Sequence, residues 1–219
     1  MTELFIYCAG GFGKEVMDAA RRLDESSKRW SDIHFLDDIL TESSRYGAKV
    51  YKLENLLSNG LMVKGQVVIA SGEPAVREHL LNRLSNAKAS LGIVVDSSSI
   101  VASSALLEPG VVVTPLCSIS SHVKLRKNTS INTMSIVGHD VEIGENSVIS
   151  SMVNIGGKCK IGKNSYIGMG ALIKESIIIG DNVIIGMGSV VYDDIPSGVI
   201  ALGNPARPMR PNTDKKVFK

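Results

Sequence analysis

Aromatic residues are scarce in this chain, 5% of 219 with a single Trp. Its core must therefore be aliphatic, because the apolar types together still reach 44%. Charge of one sign is lacking too. The balance of 24 basic and 22 acidic residues is +2, which excludes a folded basic nucleic-acid module. Cysteines number only three, Cys8, Cys117 and Cys159. An odd, widely spaced set makes neither a disulfide framework nor a CxxC zinc site. No stretch approaches the ~18 uninterrupted apolar residues of a membrane span, and the N-terminus has no basic leader. A cytoplasmic protein is the default expectation. High apolar content with low net charge excludes disorder, and the length suits one or two domains. The charge is uneven: Arg207 to Lys219 carry +4 and the rest −2. That tail is expected to stay solvated or to meet phosphate.

What is present is a repeat. Stepping by six from Val101 meets Leu107, Val113, Ile119, Leu125, Ile131, Val137, Ile143, Ile149, Ile155, Ile161, Ile167, Ile173, Ile179, Ile185 and Val191, all aliphatic. An amphipathic helix needs apolar residues three and four apart, so it cannot give this pattern. A second order has period eighteen, with Gly110, Asn128, Asn146, Asn164 and Asn182 in register. Gly and Asn tolerate left-handed backbone angles best, so the chain turns the same corner every eighteen residues. Three short strands per coil make a triangular solenoid. The position four after each aliphatic is mostly small, including Cys117, Ser135, Ser147, Cys159 and Ser165. The two cysteines there read as core residues, not nucleophiles.

These hexads resemble the left-handed parallel β-helix of the hexapeptide-repeat acyltransferases, over about residues 97 to 205. The left-handed sense is implied by the resemblance alone, since crossover connections are normally right-handed. The resemblance also implies a homotrimer with active sites between subunits and acyl-CoA in the groove between neighbouring β-helices.

The first half reads differently. Residues 4–9 form a strand, followed by Gly10-Gly11-Phe12-Gly13 and a helix with Val16, Ala19, Ala20 and Leu23 on one face. A second strand, Ile33 to Leu36, ends in Asp37-Asp38, and a third, Val67 to Ala70, ends in Ser71-Gly72 before a helix from about Ala75 to Leu84. This alternation predicts a small parallel α/β sheet, which binds ligands at the carboxyl ends of its strands. The glycine loop is neither a full GxGxxG nor a GxxxxGK[ST]. It is either a tight turn or a close approach to a diphosphate at a helix N-terminus. Asp37 and Asp38 are either turn residues or acceptors for a base N–H or sugar hydroxyl.

An α/β domain of this size before a hexapeptide β-helix resembles the bacterial nucleotide-sugar acetyltransferases. The resemblance implies three parts: a Rossmann-like nucleotide-sugar-binding domain (1–96), a β-helix acyltransferase domain (97–205) and a basic tail (206–219). It implies acetyl-CoA as cosubstrate and a UDP-, dTDP- or GDP-linked 4-amino-6-deoxy sugar as acceptor. Sialic-acid O-acetyltransferases share the layout. Here Gly10 and Phe12 replace the family's usual Ser and His in the glycine loop. Its nucleotide contacts map to Gly10, Gly11, Phe12, Gly13, Asp37, Asp38 and Gly72.

Of four histidines, His34 reads as core, and His79 and His122 as surface. His139 breaks the repeat, in Val137-Gly138-His139-Asp140. The equivalent position one coil on is Gly157, ~4.8 Å away across the strand stack. That pairs a base with a backbone donor for an oxyanion, as acyl transfer requires. In the resembled family an Asn seven residues before the His orients it, and a carboxylate after it raises its basicity. These map to Asn132 and Asp140. A second family histidine, near the CoA thioester, maps to Val148. Gly168 and Gly186 are expected to leave room for the pantetheine arm, and Lys174 and Arg207 to meet CoA phosphates. No metal is expected, because a carbonic-anhydrase-type site on this fold needs three convergent histidines and the repeat offers only His122 and His139. The rival reading is a non-catalytic nucleotide-sugar-binding protein.

Overall fold

The computed structural model describes residues 2–58 and 65–218. The first half is a six-stranded sheet between helices. Its elements are β1 (Thr2–Tyr7), α1 (Gly11–Ser27), β2 (Trp30–Leu36), β3 (Ser44–Arg45), β4 (Ala48–Tyr51), α2 (Leu53–Ser58), β5 (Gly65–Ile69), α3 (Pro74–Asn86) and β6 (Ser90–Leu91). The strand order is β3-β4-β2-β1-β5-β6, parallel except for the β3–β4 hairpin. β1 and β5 are near-continuous apolar runs, as strands buried on both faces must be. One face packs on α1 through Leu4, Ile6, Val16 and Ala20, the other on α2 and α3 through Phe5, Leu56, Leu81 and Leu84.

From Val94 onward the chain winds as a triangular solenoid of two-residue strands stacked in three parallel sheets. The first face runs from Val94–Val95 to Ile184–Ile185, the second from Ile100–Val101 to Val190–Val191, and the third from Leu106–Leu107 to Ile178–Ile179. Partners lie eighteen residues apart, as Val148↔Tyr166 and Ile149↔Ile167 do. The hexad aliphatics fill the interior, with Ile131, Val137, Ile149 and Ile167 fully buried. The small positions are buried beside them. Ser135, Ser147 and Ser165 donate their hydroxyls to the carbonyls of Ser150, Gly162 and Gly180. Buried hydroxyls are thereby satisfied.

Left-handed backbone angles are more widespread than the Gly/Asn ladder implies. All three corners use them: Met134 at φ 62° between the first and second faces, Asp140 at 60° between the second and third, and Asn128 at 58° between the third and first. The repeated stacking bonds between coils hold even bulky residues in this region, which costs L-residues about 1–2 kcal/mol each.

The N-terminal domain sits on the first face. Val94 and Val112 of that face belong to the same buried cluster as α1 and β1. The second and third faces are left uncovered by it. At the far end, Val199–Gly203 pairs antiparallel with Ala206–Pro211. The segment expected to be a free tail is thus partly strand. Beyond it, Val217 and Phe218 return to the N-terminal domain at Glu73.

Candidate active site

The corner between the second and third faces carries Gly138-His139-Asp140. Asp140 turns it at φ 60°, and its N–H donates to Ser121 O one coil up, while Lys158 N–H donates to His139 O one coil down. The backbone is thereby pinned, and the imidazole projects outward, 56% exposed. His139 Nδ1 lies 2.8 Å from Asp140 Oδ2. The Asp140 carboxyl is held below its ordinary value, first by this hydrogen bond against some desolvation, with His122 and Lys158 adding to it. An ionised Asp140 only accepts, so the neutral imidazole carries its proton on Nδ1 and its lone pair on Nε2.

Nε2 faces Gly157. A Cβ on Gly157 would stand 2.6 Å from Nε2 and 2.7 Å from Cε1, so only glycine fits beneath the ring. The flanking N–H groups of Gly156 and Lys158 donate to Ile173 O and His139 O, but that of Gly157 has no backbone acceptor among the described residues. A ring nitrogen therefore stands over a glycine whose N–H has no backbone acceptor among the described residues. Gly157→Ala is expected to swing the ring toward solvent, and a kcat that depends on Nε2 in this position should fall by about 10²-fold. Its melting temperature should stay near wild type, and wild-type kcat in that variant would refute the arrangement.

The other expected residues separate. Asn132 is on a different corner, between the first and second faces, and its Oδ1 accepts from Ser130 Oγ at 2.9 Å. Seven residues span one face and one corner, so within the chain Asn132 does not orient His139. Val148 is fully buried in the first face, beneath the side that carries the N-terminal domain, so the cofactor contact expected of it does not hold. Gly168 and Gly186 are explained by stacking. A Cβ on either would come within 2.6 or 2.8 Å of the next layer. Lys174 fares better, lining a groove of about 460 Å³ on the second face with Gly156, Leu172 and Tyr192. Arg207 pairs with exposed Asp193 at 3.0 Å, one coil further along the same corner. Among the described residues no three His, Cys, Asp or Glu side chains converge on a metal position.

A second site lies at the carboxyl edge of the N-terminal sheet. β1 pairs with β2 on one side and β5 on the other. The switch point of this sheet is therefore the crevice between the ends of β1 and β5, where open parallel sheets bind ligands. The glycine loop opens α1 there. Gly10 caps the helix with no side-chain bond, and Cβ positions on Gly10 and Gly11 would meet nothing within 4 Å. The α1 N–H groups are thus accessible to an anion. Gly13 has a packing reason instead, since its Cβ would fall 2.1 Å from Cys8 O. Phe12 packs against the domain core, so it offers the crevice backbone but not its ring.

The aspartate pair is bonded within the protein, as turn residues would be. Asp37 accepts the N–H groups of Ala9, Ile39 and Leu40 at 2.9, 2.9 and 3.0 Å. Burial alone would raise its pKa, but these bonds and Lys52 hold it below the ordinary value. Asp38 accepts from Tyr7, Arg83 and the Leu53 N–H. Both carboxylates brace the protein's own loops and are engaged before any ligand arrives. Sequence reasoning missed Arg77, Glu73 and Phe218. Arg77 is a cation on the apolar side of α3, a signal that was legible. Phe218 is an aromatic within the basic tail.

A PglD N-terminal domain model matches residues 3–84, and a bacterial transferase hexapeptide model (six repeats) matches residues 158–193. The acetyltransferase domain of PglB from Neisseria gonorrhoeae FA1090 is 30% identical with a TM-score of 0.88, over 95% of this chain and 100% of that one. A further structure of that domain is a complex with acetyl coenzyme A. WeeI from Acinetobacter baumannii AYE is 30% identical with a TM-score of 0.84, over 95% and 100%. PerB from Caulobacter crescentus, in complex with CoA and GDP-perosamine, has the same fold at 24% identity and a TM-score of 0.86, over 96% and 98%. No curated protein sequence matches the chain.

Proposed function

Because the chain belongs to the bacterial left-handed β-helix transferases with a PglD-type N-terminal domain, the family of the PglB acetyltransferase domain, we propose that it N-acetylates a nucleotide-linked amino sugar from acetyl-CoA. The observation that carries this is His139, with Nδ1 held by Asp140 and Nε2 over the space that a Cβ on Gly157 would fill. The sugar amine attacks the thioester carbonyl. His139 Nε2 takes a proton from the attacking nitrogen as the C–N bond forms. The Gly157 N–H supports the oxyanion. The C–S bond then breaks, and the imidazolium returns its proton to the departing thiolate. No acyl-enzyme is required, since Cys117 and Cys159 are buried and burial pushes their thiols up.

The acceptor's diphosphate fits the α1 N-terminus, as a 4-amino-6-deoxy sugar linked to UDP, dTDP or GDP would present it. The groove on the second face suits the pantetheine arm. Strand layers are ~4.8 Å apart, so from His139 to the coil of Asp193 is roughly 14 Å along one corner. Lys174 and Arg207 lie along that path, where the CoA phosphates would be.

His139 and the nucleotide crevice of one chain lie on different sides of the prism, because the N-terminal domain covers the first face. This supports a homotrimer whose sites combine two subunits. So do exposed apolar side chains on the second face and its edge, Ile100, Leu116, Ile136, Met152 and Met187 among them. Grouped exposed apolar surface of this kind marks an interface.

The test is an acceptor screen with acetyl-CoA and UDP-, dTDP- and GDP-linked 4-amino sugars, run on a species sized by sedimentation. Acetylation of at least one amine by a trimer is the expected result. Turnover of a sugar hydroxyl with no amine accepted would replace the reading with an O-acetyltransferase. A fully active monomer would remove the shared site.

A further inference from the structure

The C-terminal segment returns to the N-terminal domain at the link between β5 and α3. Glu73, the residue before α3, accepts the backbone N–H groups of Val217 and Phe218 on its two carboxylate oxygens, at 2.8 and 3.1 Å. The Phe218 ring meets Tyr166 of the first face edge-on, with centroids 5.7 Å apart and planes at 82°. On its other flank is Gly72, where a Cβ would stand 3.3 Å from Phe218 Cε2. Yet Phe218 is still 54% exposed. An aromatic ring fixed by a two-point carboxylate clamp and a neighbouring ring, but left open on one side, is shaped to receive something flat.

Its place says what. Gly72 follows β5, across the switch-point crevice from the α1 N-terminus. A nucleotide with its diphosphate on the Gly10–Gly11 amides carries its base a nucleoside's length away, within the same crevice. The aspartates expected to read that base are already bonded to Ala9, Ile39, Leu40, Tyr7, Arg83 and Leu53. Gly72 has no side chain to hold a planar group off the ring beside it. We propose that Phe218 is a positioning residue of the nucleotide-sugar site, its ring forming with Gly72 an aromatic wall on which the nucleobase stacks. This rests on the reading of a nucleotide-linked acceptor at this edge and adds how the base is gripped. Stacking uses the π-face that every base has, so the wall holds the base without selecting its identity.

The experiment compares full-length wild type, Phe218→Ala and Phe218→Trp. It measures steady-state kinetics with the accepted nucleotide sugar and calorimetric binding of UDP, GDP, dTDP and inorganic pyrophosphate. Phe218→Ala is expected to raise KM for the nucleotide sugar and Kd for the nucleoside diphosphates by about tenfold, the loss typical of one stacked base. The values of kcat, KM for acetyl-CoA and Kd for pyrophosphate should not move, and Phe218→Trp should restore affinity. A KM change under twofold overturns the proposal. So does an equal loss for pyrophosphate, or a Trp variant no better than Ala, because either makes the effect one of chain anchoring. If wild type neither binds a nucleotide nor turns over a nucleotide sugar, the function reading itself fails and the wall with it. Wild-type turnover with an unaffected Phe218→Ala removes the wall alone.

Discussion

Replacing His139 by Ala or Asn is expected to lower kcat about 10²- to 10⁴-fold, the range a positioned general base supplies, while acetyl-CoA still binds. The expectation follows from how few roles the residue has. Its ring is more than half exposed and its one side-chain partner among the described residues is Asp140, so it contributes little to packing. The backbone bonds that set the corner belong to Asp140 N–H and His139 O, which any residue supplies. The fold should therefore survive, and the loss should fall on kcat. Asn is the sharper variant, since it keeps a polar group near the same place but cannot take a proton at neutral pH. Steady-state kinetics with calorimetric titration of CoA would separate the two quantities. Unchanged kcat in both variants would remove His139 as the base and would favour a non-catalytic binding protein. Loss of CoA affinity equal to the loss of rate would make it a binding residue instead.

Arg77→Ala is expected to cost about 3–5 kcal/mol of stability, from several buried acceptors left unpaired at once, read as a fall of roughly 10 °C in melting temperature for a chain of this length. Arg77 is 0% exposed and has no carboxylate partner among the described residues. Its guanidinium donates to Ile69 O at 2.7 Å, Ser71 O at 3.0 Å, and both Asn128 O and Oδ1, the latter at 2.9 Å. Removing it strands carbonyls that close the crevice end of β5 and the first face together, and each buried unpaired acceptor costs about 1–3 kcal/mol.

The network continues. Asn128 Nδ2 donates to Asn146 Oδ1, Asn146 Nδ2 to Asn164 Oδ1, and Asn164 Nδ2 to Glu78 Oε1, at 2.8, 3.0 and 2.8 Å. The asparagine ladder therefore begins and ends on adjacent residues of α3. Calorimetry of Arg77→Ala should split one transition into two as the domains uncouple. Arg77→Met decides whether the network has net worth. Burying an unpaired cation is costly, and burial pulls this guanidinium below its usual range. A Met variant as stable as wild type would mean that the hydrogen bonds only offset that penalty.

The β-helix was legible because each coil has one inward position per face and only aliphatics fit there. His139 was legible for the opposite reason: it breaks the pattern, and Gly157 stands where a stacked side chain would collide with it. The asparagines at period eighteen were read as corner residues, and they are, at φ of 54 to 59°. Their second role, as the dry hydrogen-bonded seam to α3, follows no spacing rule. Asp37 and Asp38 were legible as residues that either brace a turn or face a ligand, with no choice between the two. Whether a carboxylate faces a ligand or its own backbone depends on loops that the sequence pattern does not place.

From the sequence alone came the coil, its three strands per turn, the α/β domain before it and the histidine at one corner. Periodicity treats the three faces as equivalent, so it could not say which one the N-terminal domain covers. The tertiary structure decided that, because the outer side chains of the first face complete the core around α1. From that single choice follow the burial of Val148 and the open second face. The choice also brings Phe218 back beside Gly72.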